Sequence, residues 1–270
     1  MKVLLAELRW PEVKERVRPN AVAVIPVAST EQHGPHLPLQ TDARIVTDCA
    51  IRAAERVAEE VPIVVAPTVS YGFSEHHMDF PGTMSLSMPT YVSVLAELTE
   101  SLIRGGFPRV LLLNGHGGNC EAIQVAARHV VARQNAVVGA ATYWDVAAAA
   151  LASVNASEVG MVPGHSSGFE TACMLALVPR LVELSAMPAT DESVPRPNDS
   201  RVTLAGLGTA VPGYATYHSP SGVWGDPRLL KAERGPAFVE AIVAALADLY
   251  RAFSRTDGYG VRVGQARPAG

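Results

Sequence analysis

The chain has 270 residues, of which 48% are hydrophobic, so it can bury a sizeable core. Its formal net charge of -4 provides no basic surface for nucleic acid, which excludes nucleic acid as an expected partner. No uncharged apolar run reaches the roughly 18 residues that a membrane span needs, and the N-terminal apolar run is too short for a signal peptide.

The cysteines Cys49, Cys120 and Cys173 all fall within predicted helices. Their odd number argues against a disulfide framework and favours buried thiols in a reducing compartment. We therefore predict a cytoplasmic protein that neither binds nucleic acid nor spans a membrane.

Short apolar runs alternate with longer amphipathic runs through the first half of the chain. This pattern predicts strands at 21–28, 63–69, 109–113 and 136–142, and helices at 41–60, 89–104 and 119–132. Near-continuous apolar strands that alternate with helices indicate a parallel sheet with both faces covered. The sequence therefore predicts an α/β fold with a mainly parallel sheet.

The last third of the chain is less regular. A helix is predicted at 166–178, and residues 185–228 are rich in proline, glycine and small polar residues. That segment is too long for an idle connection, so we interpret it either as a functional lid and subunit contact or as partly disordered. Helical spacing returns at 229–253, where a helix is expected to pack on the sheet. We assign residues 1–255 to a single domain and 256–270 to a flexible tail.

A short polar segment follows the first predicted strand and contains Glu31, His33 and Asp42. Side chains two residues apart in an extended chain point to the same face, so Glu31 and His33 share one face. Carboxylates and imidazoles are ligands that zinc and manganese accept. We interpret this segment as half of a metal site.

Polar residues follow each of the other predicted strands as well. Ser74 and His77 follow the second strand, His116 the third, and Trp144 the fourth. Open α/β sheets bind ligands at the carboxyl ends of their strands. We therefore expect these residues to gather around one site.

Two further motifs supply candidate ligands. The loop Asn114–Asn119 centres on His116 and matches neither phosphate-binding fingerprint, which favours a metal ligand over a histidine that merely fills a turn. Glu170 lies in an apolar segment, where burial would require a metal ion or an arginine partner. His165 and Glu170 are five residues apart and would not share a helix face. We place His165 in the loop and Glu170 on the first helical turn.

Substrate contacts are expected from the segment after the second strand. Ser74 lacks the Gly-x-Ser-x-Gly context of a nucleophile, so we assign it, with His77 and Trp144, to substrate binding. His129 is expected to be structural. His218 could reach the site through the long proline-rich segment.

Taken together, these motifs resemble the creatininase family of creatinine amidohydrolase-like, metal-dependent hydrolases. The matching segments, in family order, are Ser29–Pro38 with Asp42, Ser74–Thr83, Asn114–Asn119, His165–Thr171 and Gly222–Pro227. The resemblance implies a three-layer α/β/α sandwich, two divalent metal ions per subunit (zinc, manganese or iron), and a homo-oligomer, commonly a hexamer.

The resemblance also implies how the ligands are divided. Glu31 and His116 would hold one metal ion, His33 and Glu170 would hold the other, and Asp42 would bridge the two ions. Metal-activated water would then hydrolyse a carbon–nitrogen amide bond.

Two positions refine this expectation. His165 corresponds to the histidine that transfers protons in the family, and Glu170 joins it as a catalytic candidate. Creatinine-hydrolysing members carry tyrosine and glutamate where this chain has Gly117 and Gly118. That glutamate is a metal ligand in those members, so its absence argues against creatinine as the substrate and moves the ligand role to Glu170.

The predicted substrate is a small cyclic amide or a modified peptide. The Asn-Gly-His-Gly-Gly-Asn form of the third motif is shared with the mycofactocin precursor peptidase branch of the family. The alternatives are a non-amide hydrolase of the keto-inositol type and an inactive metal-binding assembly subunit.

Overall fold

Four parallel strands form the central sheet within the described part of this computed structural model, which comprises residues 1–189, 202–203, 209–210 and 219–257. The strands are β1 (Val22–Val27), β2 (Ile63–Val65), β3 (Arg109–Asn114) and β4 (Val137–Thr142). Their order across the sheet is β2-β1-β3-β4. A parallel sheet brings the carboxyl ends of all its strands to one edge, where the predicted site residues follow.

Helices cover both faces of this sheet. They are α1 (Trp10–Arg16), α2 (Thr41–Val57), α3 (Met88–Arg104), α4 (Cys120–Val131), α5 (Tyr143–Val146), α6 (Ala148–Ser153), α7 (Gly168–Leu177) and α8 (Gly235–Ser254), with a short antiparallel pair, β5 (Val202–Thr203) and β6 (Thr209–Ala210), between α7 and α8. One core contains residues of α2, α7 and α8, and the other contains residues of α3 and α4. The predicted three-layer α/β/α sandwich is confirmed.

Strand β1 shows why the sheet is buried on both sides. All six of its residues are buried. Val22 and Val24 pack in the core with α2, α7 and α8, whereas Ala23 and Ile25 pack in the core with α3 and α4. Successive side chains of a strand point to opposite faces, so a strand covered on both faces is apolar throughout.

The second strand and the last helix differ most from their predicted bounds. The second strand ends at Val65 rather than at Val69. Pro67 has no N–H to donate to a sheet, and Val69 contacts β1 only through an isolated bridge to Val27. The last helix begins at Gly235, directly before Pro236, rather than near residue 229. Proline is favoured at the start of a helix, which explains this boundary.

Three helices were not predicted from the sequence, namely α1, α5 and α6. They have four to seven residues each, and α1 has no buried residue, so they lack a long apolar stripe. The proline-rich segment was expected to be a lid and subunit contact or partly disordered, and most of it, residues 190–218, lies outside the described residues. His218 and most of the expected tail lie outside them as well.

Cys49 and Cys173 are buried free thiols, and Cys120 is a partly buried free thiol. No helix within the described residues is long and apolar enough to cross a membrane.

The α8 helix should provide much of the stability of the larger core. Leu246 on α8 is fully buried, whereas Leu98 on α3 is 42% exposed. We expect Leu246→Ala to lower the free energy of unfolding by about 2–5 kcal/mol, because it removes buried methyl groups and leaves a cavity. Leu98→Ala, the same substitution on an exposed helical face, should change it by about 0.5 kcal/mol or less. Denaturant titration of both variants measures the difference, and equal losses would contradict the packing described for α8.

Candidate metal centre

The structure gathers five predicted ligands at the carboxyl edge of the sheet. Glu31 and His33 follow β1, Asp42 lies in the first turn of α2, His116 follows β3, and Glu170 lies in the first turn of α7. Each is at most 4% exposed. The expected placement of Glu170 on the first helical turn is confirmed.

One group of ligand atoms consists of Glu31, Asp42 and His116. His116 Nδ1 lies 3.2 Å from Glu31 Oε1 and 3.1 Å from Asp42 Oδ2. Neither of those buried oxygens has a hydrogen-bond partner within the described part of the chain. Burying an unpaired carboxylate oxygen is costly, so two of them aimed at one imidazole nitrogen fit a cation between them.

A second group consists of His33, Asp42 and Glu170. His33 Nε2 lies 3.1 Å from Asp42 Oδ1 and 3.9 Å from Glu170 Oε1. In each group the ligand atoms all lie within 4.8 Å of one another. Asp42 belongs to both groups, with a different carboxylate oxygen closest to the histidine of each. This geometry allows one aspartate to contact two ions.

In two further groups the possible ligand atoms also lie within 4.8 Å of one another. Glu31 combines with His33 and His165 in one of them, and with His76 and His77 in the other. His76 is a ligand candidate that was not predicted from the sequence. It is adjacent to His77 in the chain, and its ring stacks on His116 with the ring centroids 5.5 Å apart.

In the protein alone, protons neutralise the group formed by Glu31, Asp42 and His116. Burial opposes the charge on His116, but Glu31 and Asp42 together outweigh burial and raise the pKa of His116 well above its usual value. Burial likewise opposes ionisation of Glu31 and Asp42, but neighbouring histidines lower the pKa of both carboxyls. A divalent ion could provide the same compensation in place of those protons.

The second group shows the same competition. Burial opposes the charge on His33, but Asp42, Glu170 and Glu31 together outweigh burial and raise the pKa of His33 to about 10. Burial raises the pKa of Glu170 to about 8. His165 differs, because burial and the neighbouring His33 together lower its pKa to about 3. The His165 ring is therefore neutral at neutral pH.

Hydrogen bonds on the far side of each ring orient both ligand histidines. His116 Nε2 lies 3.0 Å from the carbonyl oxygen of Phe73, and His33 Nδ1 lies 3.2 Å from the carbonyl oxygen of Glu31. A carbonyl oxygen only accepts hydrogen bonds, so these ring nitrogens are donors. The opposite nitrogens face the carboxylates, which is the arrangement of metal-binding histidines.

The carboxylates are held in a similar way. The Ser74 hydroxyl donates to Glu31 Oε2 at 2.5 Å, and the Ser166 backbone N–H donates to Glu170 Oε2 at 2.5 Å. Each bond leaves the other carboxylate oxygen directed at the cluster. Ser166 has a left-handed φ of 53°, an uncommon conformation outside glycine that also allows its hydroxyl to donate to the carbonyl of His33.

The predicted substrate contacts occupy different surroundings. Ser74 is fully buried and bonded to Glu31, so its described role is to support that carboxylate. His77 Nε2 lies 3.6 Å from Glu31 Oε1. Trp144 lies in α5 after β4 and packs edge-on against Tyr143 beside the larger core. Substrate binding by these side chains stays a prediction.

The structure is crowded at Gly118 but open at Gly117. A Cβ atom on Gly118 would clash with the carbonyl oxygen of Phe73 and would lie 2.6 Å from His116 Nε2. No atom lies within 4 Å of the corresponding position on Gly117. A side chain at 118 therefore cannot coexist with the His116–Phe73 hydrogen bond, whereas Glu170 approaches the cluster from α7.

Known proteins are similar to this chain in both sequence and fold. The chain matches the family model described as creatininase, creatinine amidohydrolase, over residues 6–250. It is 32% identical to a mycofactocin precursor peptide peptidase from Mycolicibacterium smegmatis, over 84% of this chain and 83% of that protein. It is 33% identical to a creatinine amidohydrolase from Pseudomonas putida, over 70% of this chain and 78% of that protein.

Solved structures of creatininases have the same architecture. The manganese form of a creatininase superposes with a TM-score of 0.78 and 26% sequence identity, covering 95% of this chain and 100% of that one. A mutant creatininase of the zinc–zinc type gives a TM-score of 0.77 at 26% identity, with the same coverage. The region matched by the family model includes every candidate ligand.

The two adjacent glycines provide a matched test of the crowding at His116. We expect Gly118→Ala to lower the free energy of unfolding by about 1–3 kcal/mol, because the added methyl group must displace backbone or the His116 ring. It should also weaken metal binding. Gly117→Ala, one residue away in open space, should change neither property. Denaturant titration and metal analysis of both variants test this, and an unchanged Gly118→Ala protein would contradict the described packing.

Proposed function

The chain belongs to the creatininase family of amidohydrolases, which hydrolyse carbon–nitrogen bonds, and on that basis we propose a specific site for its activity. In this proposal Glu31 and His116 hold one divalent ion, His33 and Glu170 hold a second, and Asp42 bridges them. The observation that carries it is the position of Asp42, which has a carboxylate oxygen 3.1 Å from the ring nitrogen of each ligand histidine.

Zinc, manganese and iron are the ions we propose for this pair of positions. Imidazole nitrogens and carboxylate oxygens suit all three metals. Manganese and zinc are also the metals of the similar creatininase structures. When bound, such a pair of ions supplies an activated water and polarises the amide carbonyl group.

His165 is the proton carrier in the proposed reaction. Its ring is neutral at neutral pH, and its Nδ1 lies 3.6 Å from Glu31 Oε1, on the side of the ligand cluster. In hydrolysis, the water oxygen bonds to the carbonyl carbon and the carbon–nitrogen bond breaks. His165 takes one proton from the water and passes it to the leaving nitrogen, which would otherwise be a poor leaving group.

We propose a modified peptide, rather than creatinine, as the substrate class. The Gly117-Gly118 form of the third motif resembles that of the peptide peptidase branch, and a Cβ atom on Gly118 would clash with the carbonyl oxygen of Phe73. A small cyclic amide other than creatinine is the second possibility. A keto-inositol hydrolase or an inactive assembly subunit is not favoured, because the ligand set is complete and the relatives that match most of the chain are amide hydrolases.

We also propose a cytoplasmic homo-oligomer. Family resemblance supports the oligomer, including a hexamer. The buried free thiols of Cys49 and Cys173 are consistent with a reducing compartment.

Metal content should distinguish the shared ligand from the unshared ones. We expect Asp42→Asn to lose both ions, because Asp42 contacts both positions, whereas His116→Ala and Glu170→Gln should each retain about one ion per chain. Glu97→Gln, on the exposed face of α3, is the control and should retain two. Mass spectrometric metal analysis after dialysis gives the count. An Asp42→Asn protein that keeps two ions would exclude the bridging role.

Hydrolysis of a panel of peptide and cyclic amides by the metal-loaded protein tests the activity itself. We expect turnover of at least one amide, with one amine and one carboxylate group formed for each carbon–nitrogen bond broken. His165→Ala should lower kcat by about 10²–10⁴-fold, because proton transfer is lost, while leaving the metal content intact. Loss of metal from the His165 variant would show that His165 is a ligand and would contradict the division of roles.

A further inference from the structure

The side-chain amide of Gln32 is fixed by two backbone groups. Gln32 is 5% exposed and lies between the proposed ligands Glu31 and His33 in the chain. Its Oε1 accepts from the Gly34 N–H at 2.8 Å, and its Nε2 donates to the Gly222 carbonyl at 2.9 Å. A backbone N–H only donates and a carbonyl only accepts, so these two contacts determine which end of the amide is nitrogen.

Two histidines compete for the one remaining hydrogen of Gln32 Nε2. The amide nitrogen has two hydrogens, and one goes to the Gly222 carbonyl. His77 Nδ1 lies 2.9 Å from Gln32 Nε2, and His165 Nε2 lies 3.0 Å from it. Only one of these ring nitrogens can accept the second hydrogen.

The backbone carbonyl of Gln32 determines which of the two histidines accepts the second amide hydrogen. His165 Nε2 lies 2.8 Å from the backbone carbonyl oxygen of Gln32. Because that oxygen only accepts, His165 Nε2 must have a hydrogen of its own and cannot accept from the amide. The second amide hydrogen therefore goes to His77 Nδ1.

We propose that Gln32 is a positioning residue that sets opposite tautomers on His77 and His165 relative to the ligand cluster. Its side chain makes His77 Nδ1 an acceptor, so the hydrogen of neutral His77 lies on Nε2. Its backbone carbonyl keeps the hydrogen of His165 on Nε2, so His165 Nδ1 presents a lone pair. His77 Nε2 and His165 Nδ1 both lie 3.6 Å from Glu31 Oε1.

This arrangement places one donor and one acceptor side by side at the ligand cluster. The two rings stack with their centroids 4.2 Å apart, so both present their edges to the same region. The ring nitrogen of His77 that faces Gln32 accepts a hydrogen bond, and that of His165 donates one, so in a neutral imidazole each contact fixes the state of the opposite nitrogen. A neutral ring has one hydrogen, so the tautomer decides its function.

The catalytic roles that these tautomers give to His165 and His77 rest on the proposed function. The lone pair of His165 can accept a proton from water, and the N–H of His77 can donate to a substrate oxygen as negative charge develops there. The same tautomer excludes His77 from the group that it forms with Glu31 and His76, because a protonated Nε2 cannot ligate a metal. By fixing this tautomer, Gln32 lets His77 donate a hydrogen bond to a substrate and prevents it from binding a metal ion.

Nitrogen-15 NMR of histidine-labelled, zinc-loaded protein tests the tautomers directly. Zinc is the appropriate metal because it is diamagnetic. In the wild-type protein we expect the protonated nitrogen to be Nε2 for both His77 and His165. His77→Gln and His165→Gln assign the signals. A wild-type His77 with its hydrogen on Nδ1 would overturn the proposal without any variant at position 32.

Gln32→Glu is the informative variant. A carboxylate of the same shape cannot donate to His77 Nδ1, so His77 should move its hydrogen to Nδ1 and donate to the new carboxylate. His165 should keep its hydrogen on Nε2, because its partner is a backbone carbonyl that the substitution leaves in place. Gln124→Glu, exposed on α4, makes the same chemical change away from the site and should leave both rings unchanged.

Kinetics complete the test. We expect Gln32→Glu to lower kcat by about 10²-fold or more at unchanged zinc content, since a wrong tautomer disables the donor. A loss of kcat with the His77 tautomer unchanged would show a merely structural role and overturn the proposal. If the wild-type protein hydrolyses no amide, the proposed function fails, but the NMR spectra still decide the tautomers.

Discussion

The burial of three carboxyl groups beside one another is the physical constraint on which this structure depends. Glu31, Asp42 and Glu170 are each at most 4% exposed. Like charges removed from water cannot remain ionised without compensating cations. Imidazoles provide that compensation in the protein alone, which is why the pKa of His33 is raised to about 10 and that of His116 well above its usual value. In the metal-loaded enzyme that we propose, two divalent ions would take the place of those protons, and Asp42 would be the carboxylate that contacts both.

The fold supplies this cluster through the parallel order of its strands. Loops that leave β1 and β3 at one edge of the sheet meet the first turns of α2 and α7, so ligands distant in sequence become neighbours. Hydrogen bonds on the side away from the cluster then hold three of these side chains. Ser74 donates to Glu31, Ser166 donates to Glu170, and the Phe73 carbonyl accepts from His116. Such contacts orient the candidate ligands, and side chains that are already ordered lose less entropy when they bind an ion.

The strands and the gathering of the candidate ligands at one edge of the sheet could be predicted from sequence because each has a local pattern. An apolar run identifies a doubly covered strand, and a histidine with a carboxylate in a glycine-rich loop suggests a metal. The supporting contacts have no such pattern. Gln32 lies between two ligands, and strand alternation would direct it away from them, yet its side chain reaches His77 and His165. The crowding at Gly118 depends on the carbonyl of Phe73, which is distant in the sequence, and therefore needs the tertiary structure.

Anomalous diffraction from zinc-loaded crystals would show whether Asp42 bridges two ions. Maps calculated from data collected on either side of the zinc absorption edge locate each ion without reference to activity. We predict two peaks about 3.5–4 Å apart, with one carboxylate oxygen of Asp42 at coordinating distance from each. A single peak, or a pair in which one ion lies between His76 and His77 away from Asp42, would contradict the bridging role.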